Sequence, residues 1–292
     1  MAWIDDTTAT GKIAGEPAVP ARALDVVSVS FPRCFLWALP LSLAACAAPP
    51  VIQPAPPAPN PDALWGVIQR DCVGAGAPKG HCLAVAAAPD RRDVLVKDTH
   101  GDYQYLLMPL DRVSGIESPA LLGPAVPNYF AAAWQARTYT ERALGRPLPR
   151  DVASLALNSA HGRSQNQLHI HVDCLRGDIR DQLRQMDAAI GPSWRPLPQL
   201  LRGHPYQAYR LEGQVLQVDP IRLLAEGPAA AGDMGRWSLV VVGQGEDDRD
   251  PGFIVLATQA DADAGHQASG EELQDHACAV LTGAQEALEG VR

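Results

Sequence analysis

The stretch from Gln165 to Leu175 alternates with period two, which predicts a β-strand with two chemically distinct faces. One face carries Gln167, His169, His171 and Asp173; the other carries Leu168, Ile170, Val172 and Cys174. Apolar side chains turned to a core and three ionisable ones turned to a cleft are the pattern of an active-site strand. The plainer alternative is two exposed histidines on an edge strand.

The same patterning predicts strands over Leu83–Ala88, Asp93–Lys97, Tyr103–Leu110 (stopping at Pro109) and Val152–Asn158. Leu64, Val67 and Ile68 share a helical face over Pro61–Asp71, with Asn60 as cap and a proline at the first position. The clearest helix is Tyr129–Leu144, with Phe130, Ala133 and Trp134 on one face and Gly145 and Pro147 to end it. Asp111–Pro127 and Ser159–Ser164 read as loops. Beyond the histidine strand come a helix over Asp178–Ile190 and a loop over Pro192–Pro205. A hairpin of Arg236–Gln244 and Gly252–Gln259 follows, across the acidic turn 245–250. Ser269 and Glu272 form a capping box for a last helix bearing Leu273, Ala277 and Leu281. These elements predict an α+β fold: an antiparallel sheet with packed helices and a C-terminal hairpin-helix extension. No linker divides residues 62–292, which therefore read as one domain.

Composition adds the surroundings. A formal net charge of −9 with no basic patch argues against nucleic acid as a partner. Arg33 precedes the apolar run Phe35–Ala45, and Leu43-Ala44-Ala45-Cys46 is similar to the lipobox of bacterial lipoproteins. Residues 1–46 thus read as an export signal with Cys46 as the lipidated residue, although residues 1–30 are long and acidic for such a signal, as an over-extended start would be. Residues 47–61, with seven prolines between Pro49 and Pro61, form a stiff extended tether. The chain is expected in the bacterial cell envelope, facing the periplasm and held at a membrane surface. Without Cys34 and Cys46, four cysteines remain, and an oxidising compartment would pair them. Three pairings are open. Cys72 and Cys82 close a short glycine-rich loop, and Cys174 with Cys278 would staple the histidine strand to the C-terminal segment.

Two chemistries suit His169-Ile170-His171-Val172-Asp173. One imidazole can attack phosphorus as a nucleophile, or the string can begin a metal site. The string resembles the metal motif of the metallo-β-lactamase fold, but Cys174 stands where that family has a further histidine.

The neighbouring residues point elsewhere. Asn158, Gly162 and Gln165 lie before His169 and His171 in an arrangement that resembles the histidine-triad superfamily. Within it the chain resembles the CDP-diacylglycerol pyrophosphatase (CDP-diacylglycerol hydrolase) family. The matching stretches are Leu64-Trp65 with Cys72, Tyr103–Pro109, Ser114–Pro119, Asn128–Phe130 with Ala133–Arg137, Ser154–Ser159, Gly162–His171, Leu201–His204 and Gln274–Cys278. They run in order from about residue 62 to residue 281. The resemblance implies a HIT-like fold, no cofactor, and hydrolysis of CDP-diacylglycerol or a related nucleotide diphosphate to CMP and phosphatidate. It makes His171 the nucleophile and His169 a supporting ring. Asn158, Gln165 and Asn166 would bind phosphate or ribose, and Arg163 would offset diphosphate charge. Asn166 departs from the serine often found at its place.

Asp173 is the larger departure, since the superfamily has a third histidine there. A phosphate monoester has a second pKa of about 6 and leaves near neutral pH without a strong acid, so the loss is tolerable. Asp173 is given a structural or water-positioning place in the substrate site. His204 and His276 read as satisfied structural histidines, though His276 can approach the site if Cys278 bridges Cys174. Two alternatives stand beside the covalent hydrolase: a non-catalytic nucleotide- or lipid-binding envelope protein, and a metal-dependent hydrolase using His-x-His-x-Asp. The presence of His171, Asn158 and Gln165 argues against the first, because binding alone needs no nucleophile.

Overall fold

A computed structural model of the chain describes residues 60–88, 90–230, 232–245 and 251–283. The export segment with Cys46, and the tether as far as residue 59, lie outside the described residues. The described strands are β1 (Cys82–Ala88), β2 (Arg91–Lys97), β3 (Tyr105–Pro109), β4 (Ala153–Leu157) and β5 (Ile170–Cys174). They continue with β6 (Arg195–Pro196), β7 (Gln207–Glu212), β8 (Trp237–Gln244) and β9 (Gly252–Gln259). All join one antiparallel sheet in the order β1-β2-β3-β5-β4-β8-β9-β7-β6. The helices are α1 (Ala63–Val67), running on as a π-helical turn over Ile68–Val73, then α2 (Tyr129–Leu144), α3 (Gly177–Gln185), α4 (Pro220–Ala225) and α5 (Ala279–Thr282). The α+β architecture expected from the patterning is the one observed. Among the described residues no helix is long and apolar enough to cross a membrane.

Helix α2 forms where its termini are satisfied. The Asn128 side chain accepts a hydrogen bond from the Ala131 amide at 3.0 Å, and Gly145 closes the other end with φ +65°. Its buried side chains, Phe130, Ala133 and Trp134 among them, join Leu168, Ile170 and Val172 in the main core. Trp134 also sets its ring edge-on to Phe253 of β9, with centroids 4.9 Å apart. Full burial of such a side chain stabilises the fold by about 1.5–3 kcal/mol. The apolar face read from the sequence of the histidine strand is thus the core face.

The opposite sheet face is divided. One cluster gathers Ile68, Val94, Val96, Leu106 and Met108 near α1; another gathers Leu175, Ile179, Leu183, Val240, Val242, Ile254 and Leu256 near α3. His171 lies in register between Leu106 of the first and Ala156 of the second. The polar residues of β5 therefore occupy a seam between two hydrophobic clusters.

Both anticipated disulfides are present, Cys72–Cys82 and Cys174–Cys278, separated by 10 and 104 residues. Loop-closure entropy makes them worth roughly 3 and 5 kcal/mol.

The structure departs from the sequence reading in the following places. The histidine strand begins at Ile170, because Asn166 and Leu168 donate their amides to Pro61 and Val113 instead of to a neighbouring strand. The helix expected over Asp178–Ile190 is α3 followed by a separate 3-10 turn, Asp187–Ala189. The predicted loop before β7 contains β6, and neither β7 nor α4 was patterned strongly enough to read, although Asp219 caps α4 just before Pro220. The expected last helix is reduced to a 3-10 turn over Gly270–Leu273 and the short α5. Ser269 makes no capping bond there, because its hydroxyl goes to Asn158, while Glu272 goes to His204 and Tyr206.

Candidate active site

Strand β5 lies between β3 and β4, which rules out an exposed edge. Its ionisable face is not an open cleft either: His169, His171 and Asp173 are buried, at 7%, 5% and 1% exposure. They are crossed by the C-terminal segment, which pairs with the end of β5 through Leu175 and Gln274.

That segment supplies the residue that organises the site. Glu271 Oε1 lies 3.1 Å from His171 Nδ1, and the Gln104 amide donates to the same oxygen at 3.2 Å. Asn158 Nδ2 donates to Glu271 Oε2 at 2.6 Å, and Asn158 Oδ1 accepts from the Ser269 hydroxyl and the Glu271 amide. Burial pulls the Glu271 carboxyl upward, but His171 and these hydrogen bonds outweigh it and keep it below the ordinary value. It is therefore a fixed, ionised acceptor. The Gln104 amide nitrogen is a donor and lies nearer to His171 Nδ1, at 2.9 Å, so the nucleophilic tautomer, with its proton on Nδ1 directed at Glu271, requires the Gln104 amide to donate to the carboxylate alone. Nε2 then carries the lone pair. This Nε2 is buried and has no hydrogen-bond partner among the described residues. Burial also lowers the His171 pKa to about 4, so the ring is neutral at neutral pH. A neutral imidazole with an anchored Nδ1 and an unoccupied Nε2 is equipped for attack on an electrophile.

His169 supports this ring. Its Nδ1 donates to the Gln167 carbonyl at 2.6 Å, and its ring stands edge-on to His171 with centroids 4.8 Å apart. Burial lowers its pKa, which keeps a second positive charge away from His171. Asp173 accepts from the Cys174 amide at 2.8 Å and from His276 Nδ1 at 2.5 Å. Burial pushes this carboxyl up to about 6, with the His276 bond opposing.

The remaining sequence-derived site residues are placed differently. Arg163 forms a two-pronged ion pair with Glu117 at 2.7 Å, and the Ser114 hydroxyl supports the same carboxylate. Its charge is thus compensated within the protein. Gln165 accepts from the Leu64 amide and donates to the Asn60 carbonyl, fastening the start of α1. Asn166 is exposed. Asn158 is the predicted binding residue that the structure connects to His171, through Glu271.

Among the described residues, His169 and His171 belong to no group of three converging metal-ligand atoms. Among the described residues, the groups of three whose ligand atoms lie within 4.8 Å are Asp173–Cys174–Cys278, with its sulfurs joined, and His204–His266–Glu272. Neither contains His169 or His171. His204 is bonded to Glu272 and stacked on His266, with centroids 3.8 Å apart. A cavity of about 410 Å³ lies apart from these histidines, lined by Leu183, Arg184, Val242 and Ile254.

Sequence reasoning missed Glu271 and Gln104. Gln104 sits in a stretch that matched the family, but nothing marks it beside its apolar neighbours. Glu271 lies next to Glu272, which a capping-box reading claims first; only the fold shows that Asn158 draws in its neighbour.

The model of a family described as CDP-diacylglycerol pyrophosphatase matches residues 59–282, a span that includes β5, Asn158, Glu271 and His276. The chain belongs to this family of hydrolases acting on CDP-diacylglycerol.

Proposed function

We propose that the chain hydrolyses CDP-diacylglycerol to CMP and phosphatidate through a covalent cytidylyl intermediate on His171. The observation that carries this reading is the buried Nε2 of His171, unpartnered while Nδ1 faces an ionised Glu271. Nε2 attacks the phosphorus bearing cytidine, and the bond to the bridging oxygen breaks to release phosphatidate. Glu271 stabilises the positive charge that grows on the imidazole as the new bond forms. Water then attacks the same phosphorus, the nitrogen–phosphorus bond breaks, and CMP leaves. Asn158 acts as a positioning residue, since both oxygens of its partner carboxylate are committed by it and Gln104.

The lipid substrate stays in a bilayer, and the N-terminal segment provides a reason for the enzyme to stay there as well. Cys46 carrying two acyl chains would give stable anchoring, where one chain binds only marginally. The proline-rich tether would then hold the catalytic residues within reach of headgroups at the envelope membrane surface.

A comparison of the full chain with one lacking residues 1–59 tests substrate and tether together. Asn60 is retained because its carbonyl accepts from Gln165. Both proteins should release CMP from detergent-dispersed CDP-diacylglycerol at the same rate. On vesicles at limiting enzyme the truncated chain should be markedly slower. No CMP release by the full chain in detergent would overturn the activity; equal rates on vesicles would overturn the tether.

A further inference from the structure

Where the histidine-triad pattern has its third ring, this chain has Asp173, and the fold brings an imidazole to that position from the C-terminal segment. We propose that His276 is a second catalytic residue, giving a proton to the departing phosphate and then taking one from the attacking water. Asp173 is its positioning partner. The proposal rests on the covalent reading above and names the group that completes its second half.

The geometry is that of a carboxylate–imidazole dyad. Asp173 Oδ2 is 2.5 Å from His276 Nδ1; the Asp173 side chain is fully buried, whereas the His276 side chain is 37% exposed. A buried carboxylate that binds Nδ1 fixes the ring and leaves Nε2 as the working nitrogen. The segment is held on both sides of the ring. The Asp275 amide donates to the Cys174 carbonyl at 2.9 Å, and Cys278 is disulfide-bonded to Cys174. Gly101, at φ +63°, makes room: a Cβ there would lie 2.5 Å from His276 Cβ. Asp173 shares a strand face with His171, two residues away, which sets their Cα atoms roughly 6.5 Å apart. His276 is therefore held by the residue that neighbours the nucleophile on the same face of the strand.

In the first half, His276 Nε2–H donates to the bridging oxygen as its bond to phosphorus breaks, and the proton leaves with phosphatidate. The hydrogen bond to Asp173 raises the His276 pKa, which favours the protonated ring this half requires. In the second half, the now neutral Nε2 removes a proton from water as its oxygen bonds phosphorus and the bond to His171 breaks. His276 is again protonated, and the cycle balances. The first half needs little acid help because the leaving phosphate is a weak base, so the second half should depend more strongly on His276.

Rapid-quench kinetics of His276→Gln on detergent-dispersed CDP-diacylglycerol test this. The variant should retain a burst of about one phosphatidate per enzyme, followed by steady CMP release slowed about 100-fold or more. Intact mass should show a cytidylyl group accumulating on the protein. Asp173→Asn keeps the buried shape and should show the same accumulation with a smaller loss, about 10-fold, so it decides the matter if the first variant fails to fold. Steady-state rates within threefold of wild type, or slowing without any accumulated adduct, would overturn the role. Failure of the covalent reading itself looks different: His171→Ala would still turn over.

Discussion

His171→Ala should abolish CMP release from CDP-diacylglycerol, by on the order of 10⁴-fold or more, because it removes the attacking atom. No other imidazole in the site combines a carboxylate at Nδ1 with a ring kept neutral by burial. His169 uses Nδ1 to donate to a carbonyl and turns its ring edge to His171, and His276 is tied to Asp173. The fold should survive, since Glu271 keeps its bonds to Asn158 and Gln104 and the His171 Nε2 makes none. Thermal melting and disulfide mapping alongside the assay separate lost chemistry from lost structure. Turnover within tenfold of wild type would sink the assignment of His171.

Glu271→Ala should lower kcat on the order of 10³-fold with little change in KM, for a reason specific to this site. Without the carboxylate, the neighbour left at His171 Nδ1 is the Gln104 amide at 2.9 Å, which is a donor. The ring would then accept at Nδ1 and carry its proton on Nε2, the wrong tautomer for attack. Nitrogen NMR of His171 should report that exchange directly in the folded variant. A kcat within tenfold of wild type, or an unchanged tautomer, would show that Glu271 does not set the ring.

How much of this was legible in the sequence depended on how local each signal is. Period-two alternation placed Leu168, Ile170 and Val172 on the core and the histidines opposite, because side-chain direction in a strand is fixed by the backbone alone. Asn128 to Gly145 was legible for the same local reason, with a helix defined by its own face and ends. The cysteine pairs were legible because one pair closes a short loop. Glu271 was not: its role comes from Asn158, which is 113 residues away, and from a segment whose own pattern reads as a capped helix. Burial of the histidine face was equally hidden, since alternation shows that a face is polar but not what covers it. Arg163 shows the converse, a basic residue that suited a diphosphate until the Ser114–Pro119 loop brought Glu117 against it.

The stereochemistry at phosphorus separates attack by His171 from direct attack by water. An analogue of CDP-diacylglycerol with a chiral thiophosphate at the cytidine-bearing phosphorus, hydrolysed in isotopically labelled water, gives a product whose configuration can be read by phosphorus NMR. Attack by His171 followed by attack of water inverts the centre twice, so the released CMP thio-analogue should show net retention. Net inversion would mean that water attacks the substrate directly, and would contradict a covalent intermediate on His171.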